Sequence, residues 1–312
     1  MKKTVLAFLL AGSMTLSMTA ISFAEETEIS TEAETAADTA MEEMTEAVTE
    51  AAGSYLTDCY DPNGPILLEG AMSLETSEMI AALENAEEMY VGPYYCVSGT
   101  YKGYPVVVLR TEQESANAGA STALAIEKFH PCAVINQGTS GGHDPELHTF
   151  DIVLGKNSVA SSAWKSTPSA EGEGVDYKAI EMQGVYSYDP EAGEFTEKVD
   201  YPCDEELLAA AESVTDTYTE GTIIEGVIST SNEWNNQIDR MLYLHELTGS
   251  SCEEMETNAA AQMCANYGIP FIGIRILSNT GIYGEDFNPE TGAACQGYVL
   301  NVAEAYMAAK AE

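Results

Sequence analysis

The chain has 312 residues, 45% of them apolar and 20% charged, enough to bury a sizeable core. Aspartate and glutamate number 51 against 12 lysines and arginines, a formal net charge of −39. That balance argues against a nucleic-acid binder or a surface that docks on anionic lipid, both of which need cations. Four histidines with no i, i+4 pair argue against a helical metal site, and no metal or organic cofactor is expected.

Lys2 and Lys3 precede an apolar run from Val5, and Ser22-Phe23-Ala24 fits the small-x-small cleavage rule. Residues 1–24 therefore read as a signal peptide cut near Ala24. The mature protein is expected to be secreted or extracytoplasmic, with no membrane span after cleavage. Residues 25–56 read as an acidic, disordered linker, because ten acids and no base between Glu25 and Gly53 cannot build a core. Residues 57–312 form the folded domain. Its seven cysteines lack a CxxC pair, and their odd number leaves at least one unpaired.

Within that domain apolar strands alternate with helices. Residues 66–72 read as a buried strand and 77–88 as a helix. Residues 94–101 and 105–109 read as a hairpin around Lys102-Gly103. A helix over 115–129 leads into a strand at 133–136 that ends in Gly138-Thr139-Ser140-Gly141-Gly142. After a short strand at 152–154, residues 157–202 read as loop. A helix at 205–213, a strand at 222–228, a helix at 256–267, a strand at 271–277 and a helix at 296–310 complete the chain. The alternation implies an α/β layer fold with a largely buried sheet, whose ligands bind past the strand ends.

Four strand-end segments could build such a site. In Gly70-Ala71-Met72-Ser73-Leu74-Glu75, Glu75 reads locally as a helix-start acid, but it can also face a pocket as a general base. The glycines around Thr139 are either a tight turn or a close approach to a flat ligand. In Glu254-Met255-Glu256, two acids open a helix, and one of them can accept hydrogen bonds from a ribose diol. Arg275 interrupts an interior strand and needs a partner if buried, such as a facing Glu75. Ser278-Asn279 follows it with a hydroxyl and an amide.

In order and spacing these segments resemble the nucleoside phosphorylase and nucleosidase superfamily, closest to its methylthioadenosine/S-adenosylhomocysteine nucleosidases. The resemblance rests on Gly70-Ala71-Met72-x-x-Glu75, Val134-Ile135-Asn136-x-Gly138-Thr139-x-Gly141-Gly142, Glu254-Met255-Glu256 and Arg275-x-x-Ser278-Asn279. It implies a three-layer fold with a mixed, partly closed β-sheet flanked by helices, and a homodimer. It implies that Glu75 deprotonates an attacking water, which Thr139 and Arg275 position. Met255 and Glu256 would hold the ribose. Trp234, Asn235, Ser278 and Asn279 would meet the base. The loop-rich segment 157–202, with Tyr177, Tyr186 and Tyr188, is a candidate for covering the 5′ end.

Two departures from the family pattern refine this. Asn279 stands where the nucleosidase branch has Asp, which shifts the expectation toward 6-oxopurine nucleosides. Thr111-Glu112-Gln113-Glu114 replaces a glycine-rich phosphate turn, and its acids would repel phosphate. The expected activity is hydrolysis of a purine nucleoside. A phosphorylase of the same fold and a non-catalytic nucleoside-binding or storage protein are the alternatives.

Overall fold

The computed structural model describes residues 59–189 and 192–311. The expectations for residues 1–24 and 25–56 lie outside them. In chain order come β1 (Ile66–Gly70), α1 (Ser77–Ala81), β2 (Glu84–Val91), β3 (Tyr94–Tyr101), β4 (Tyr104–Arg110), α2 (Ser115–Phe129), β5 (Ala133–Gly142) and β6 (Ile152–Ala160). Then follow β7 (Trp164–Ser166), β8 (Ile180–Met182), β9 (Val185–Asp189), β10 (Glu194–Lys198), β11 (Asp200–Pro202) and α3 (Glu205–Ser213). The last third holds β12 (Ile223–Thr230), α4 (Ile238–Thr248), β13 (Ser250–Glu254), α5 (Thr257–Tyr267), β14 (Phe271–Asn279) and α6 (Glu290–Lys310).

Alternation along β1 sets the layers. Ile66 and Leu68 pack into a core shared with α3 and α6, whereas Leu67 packs into a second core with α2 and α5. The sheet between them is mixed. β1 runs parallel to β4 and β5, while β2, β3 and β4 form an antiparallel wing. β14 pairs parallel with β5 and antiparallel with β6. Through β12 and β13 those strands close into a ring. The expected three layers with a partly closed sheet are therefore present.

Three stretches differ from the sequence expectation. The helix over 77–88 stops after Ala81, and the chain turns at Asn85, whose φ is +54. Residues 84–91 become an edge strand on β3, because cross-strand hydrogen bonds outweigh the helix propensity of Glu, Ala and Met. The exposed Glu84, Glu87 and Glu88 protect that edge from further pairing. The loop over 157–202 holds the end of β6, two hairpins (β7 with β8, β9 with β10) and β11. The second hairpin is anchored on α5, where Asn266 Oδ1 accepts Ser187 Oγ at 2.6 Å and Tyr188 N at 2.8 Å. Finally, α4 and β13 were not expected at all.

Glu69 sits on β1 among apolar neighbours, with no exposure. Its two oxygens accept Thr122 Oγ1 and Asn136 Nδ2, each at 2.8 Å. Burial pushes its carboxyl up to about 7, against the pull of those hydrogen bonds and of Arg275. A raised carboxyl favours the fold while it stays protonated, and that contribution is lost as the pH climbs from the ordinary carboxylate range through about 7. Glu69→Gln should therefore lose less stability than the unaltered chain between about pH 5 and about pH 8, by about 3 kcal/mol. Urea unfolding at both pH values checks this, and parallel losses in the two proteins would count against it.

Candidate active site

A cavity of about 290 Å³ opens at the strand ends of the closed ring. Glu75 ends a short 3-10 turn after β1 and is 2% exposed. Its Oε2 accepts the backbone amides of Ala71 and Met72 at 2.9 and 3.0 Å. Its Oε1 accepts Thr139 N and Thr139 Oγ1, both at 2.8 Å. Four donors thus fix the carboxylate at the cavity wall. Gly138 is required here: a Cβ at that position would stand 2.9 Å from Glu75 Oε1.

Behind this wall lies Arg275, 1% exposed. Its Nε and Nη2 donate to Glu254 Oε2 at 3.0 and 2.5 Å, its Nη1 to Asn136 O at 2.9 Å, and its Nη2 to Asn136 Oδ1 at 2.5 Å. The expected partner Glu75 is thus replaced by Glu254. The reason is register: Glu254 closes β13 and caps α5, which carries it into the ring, whereas Glu75 is already satisfied by backbone amides and Thr139. Arg275 does not line the cavity.

Burial alone would raise Glu254. Arg275, Thr230 and the amides of Thr257 and Glu256 instead hold it below the ordinary carboxylate range. Glu254 Oε2 accepts Glu256 N at 3.0 Å and Thr257 N at 2.9 Å, so it caps the α5 N-terminus. That cap aims Glu256 at the cavity. Burial, and then the charge of Glu254, push Glu256 up to about 8. Glu256 Oε1 accepts Glu114 N at 2.9 Å.

The remaining expected residues also reach the cavity: Thr139, Met255, Trp234, Asn235, Ser278 and Asn279 all line it. Trp234 is 59% exposed and meets Phe287 edge-on at 6.3 Å. Asn235 Nδ2 is buried without a partner. Ser278 Oγ donates to Asn279 Oδ1 at 3.0 Å, which leaves the Asn279 amide group to donate.

Two expectations about neighbouring segments change. Glu112 does not face the cavity; Arg110 holds it at 2.7 Å, and only Gln113 of the turn lines the wall. Glu112 and Glu114 both have positive φ, and both side chains are exposed. Tyr177, Tyr186 and Tyr188 do not line the cavity either.

The sequence reading missed Glu253 and His143. Both line the cavity and are buried, with His143 Nε2 3.4 Å from Glu253 Oε2. A histidine directly after a glycine-rich strand end was the one available signal. Glu253 lies on β13, whose Ser-Ser-Cys-Glu-Glu sequence lacks the β-branched and aromatic residues that announce a strand.

Residues 65–307 match the family described as the Phosphorylase superfamily. A 5′-methylthioadenosine/S-adenosylhomocysteine nucleosidase from Anoxybacillus flavithermus is 30% identical over 224 residues, which cover 72% of this chain and 88% of that protein. The nucleosidase of the same name from Colwellia psychrerythraea, solved with adenine, superposes with a TM-score of 0.63 at 21% identity. That alignment covers 78% of this chain and 95% of the other. A futalosine hydrolase mutant from Helicobacter pylori gives 0.63 at 19% identity, over 77% and 99%. At these identities the solved structures establish the fold.

Removing the buried cation should expose its importance. Arg275→Met leaves Glu254 as an uncompensated buried charge and should cost about 3–5 kcal/mol near neutral pH. Freed from Arg275, Glu254 takes up a proton more readily, so the deficit should shrink on acidification. Urea unfolding near pH 7 and near pH 5 measures both; a deficit that grows toward acid would contradict the pairing.

Proposed function

The chain belongs to the phosphorylase superfamily, and from that premise we propose that it is an exported purine nucleosidase. It hydrolyses the N-glycosidic bond of a purine nucleoside to free base and ribose, or to the 5′-modified sugar. The observation that carries this reading is the charge of the cavity wall. Glu75, Glu233, Glu253, Glu254 and Glu256 line it, and among the described residues no lysine or arginine does. Arg275 is committed to Glu254, and Arg240 to Glu233 at 3.1 Å.

That wall suits hydrolysis. As the bond breaks, positive charge develops on the sugar and negative charge on the base. Glu75 favours the cationic sugar, and Glu256, pushed up to about 8, holds the sugar hydroxyls by hydrogen bonds. Glu75, held by the amides of Ala71, Met72 and Thr139, takes the proton of a water that attacks C1′ on the Oε1 site that the Thr139 hydroxyl gives up. Phosphate in the same place would meet carboxylates without a free cation, at about 4 kcal/mol per like-charge contact at 4 Å and an effective dielectric near 20.

Trp234 offers a face for the base, and Asn235 and Asn279 offer amide donors to its edge. An amide at 279 favours a 6-oxopurine, whereas the named relatives bear the name of a 6-aminopurine substrate. Covering Trp234 and Phe287 at the mouth is a use for the expected homodimer.

The deciding experiment is base release from inosine, guanosine, adenosine and 5′-methylthioadenosine by the mature protein, with and without phosphate. Release without phosphate is expected. Release that requires phosphate would mean a phosphorylase, and binding without release would mean a storage or binding protein. Glu75→Gln should lower turnover by roughly 100-fold or more with the fold unchanged, as expected for loss of a general base. Full activity in that variant would remove Glu75 from the mechanism.

A further inference from the structure

Resting on the nucleosidase reading, we propose that the buried His143–Glu253 pair is the proton donor to the departing base. Asn279 has no ionisable proton, so a purine leaving from this cavity needs another source. The other buried carboxyls of the wall are committed elsewhere. Glu75 accepts four hydrogen bonds and takes the proton of water, Glu254 is paired with Arg275, and Glu256 accepts Glu114 N and is assigned to the ribose in that reading.

The pair is built into the wall from both ends. Glu253 Oε1 accepts Ser161 Oγ at 2.8 Å, and Oε2 faces His143 Nε2 at 3.4 Å. His143 Nδ1 lies 3.4 Å from Ser250 Oγ. The two residues are 7% and 2% exposed. A carboxylate at such burial needs a partner, and His143 is the titratable group that faces it. It is also in the right bay. In the sheet Gly141 stands between Glu253 of β13 and Asn279 of β14, as register partner of both. Lacking a side chain, Gly141 leaves open space between the pair and the amide that meets the base.

The step balances. The bond from C1′ to the base nitrogen breaks and its electron pair goes to the base. The water oxygen bonds to C1′ and loses one proton to Glu75. The base takes up a proton delivered by the His143–Glu253 pair. Glu75 then releases its proton to solvent, and the pair regains one from solvent.

The test uses the full mature chain with inosine and adenosine. Glu253→Gln keeps the size and the Ser161 contact but cannot carry the proton. It should lower kcat by roughly 100-fold while KM stays within roughly threefold. Adding Asn279→Asp restores an ionisable group on the other side of Gly141, and the double variant should recover at least roughly tenfold in kcat on the better substrate. A merely structural role for Glu253 would not be rescued from position 279. The proposal is overturned if Glu253→Gln turns over like the unaltered protein, or if the second substitution recovers nothing. Should Glu253→Gln not fold, His143→Gln carries the same two expectations. No base release by the unaltered protein would overturn the nucleosidase reading itself, and the donor with it.

Discussion

One guanidinium organises this site. Arg275 enters a ring of strands where a charge has no water to meet, and its hydrogen bonds reach β13 through Glu254 and β5 through Asn136. Desolvating such an ion costs several kcal/mol unless its partners are well aligned. Here the alignment also does structural service. Asn136 passes the contact on to Glu69, and Glu254 caps α5. One cation thereby ties the helices α2 and α5 to the floor of the cavity.

The same pairing sorts the acids into roles. Four carboxyls, Glu69, Glu75, Glu254 and Glu256, feel the field of one buried arginine, and they cannot all respond alike. Glu254 takes the direct contact and stays ionised. Glu256, two residues on, then meets a negative neighbour as well as burial and is pushed up to about 8. Glu69 lies on the far side of Asn136 and is pushed up to about 7 by burial. The charge of Arg275 is spent inside this network, and none of it faces the cavity.

Much of this was legible in the chain, because strand-end chemistry is local. Gly138 beside Thr139, Glu75 after Gly-Ala-Met and the Glu-Met-Glu before α5 each announce themselves by residue type and spacing. Their expected neighbours line the cavity together. What the sequence could not reveal was non-local. Whether Arg275 faces Glu75 or Glu254 depends on how β13 pairs with β5 and β12. The strand at 84–91 exists because β3 supplies its hydrogen bonds, not because Glu-Asn-Ala-Glu-Glu prefers it. Neither acid at 112 or 114 lines the cavity, because Arg110 takes Glu112 and the backbone amide of Glu114 is held by Glu256.

The last step concerns Gly141. Gly141, at the meeting point of β5, β13 and β14, leaves open the place where a Cβ would touch Asn279 Nδ2 at 3.4 Å. The absence of that Cβ makes Asn279 and Glu253 neighbours across an empty position, though 26 residues and two helix boundaries separate them in the chain. Substitutions at 279 and at 253 can therefore act on the same ligand edge. An amide at 279 gives up proton transfer but keeps hydrogen bonding, and a carboxyl backed by histidine at 253 can carry a proton. In the proposed mechanism, recognition and protonation sit on opposite sides of this glycine.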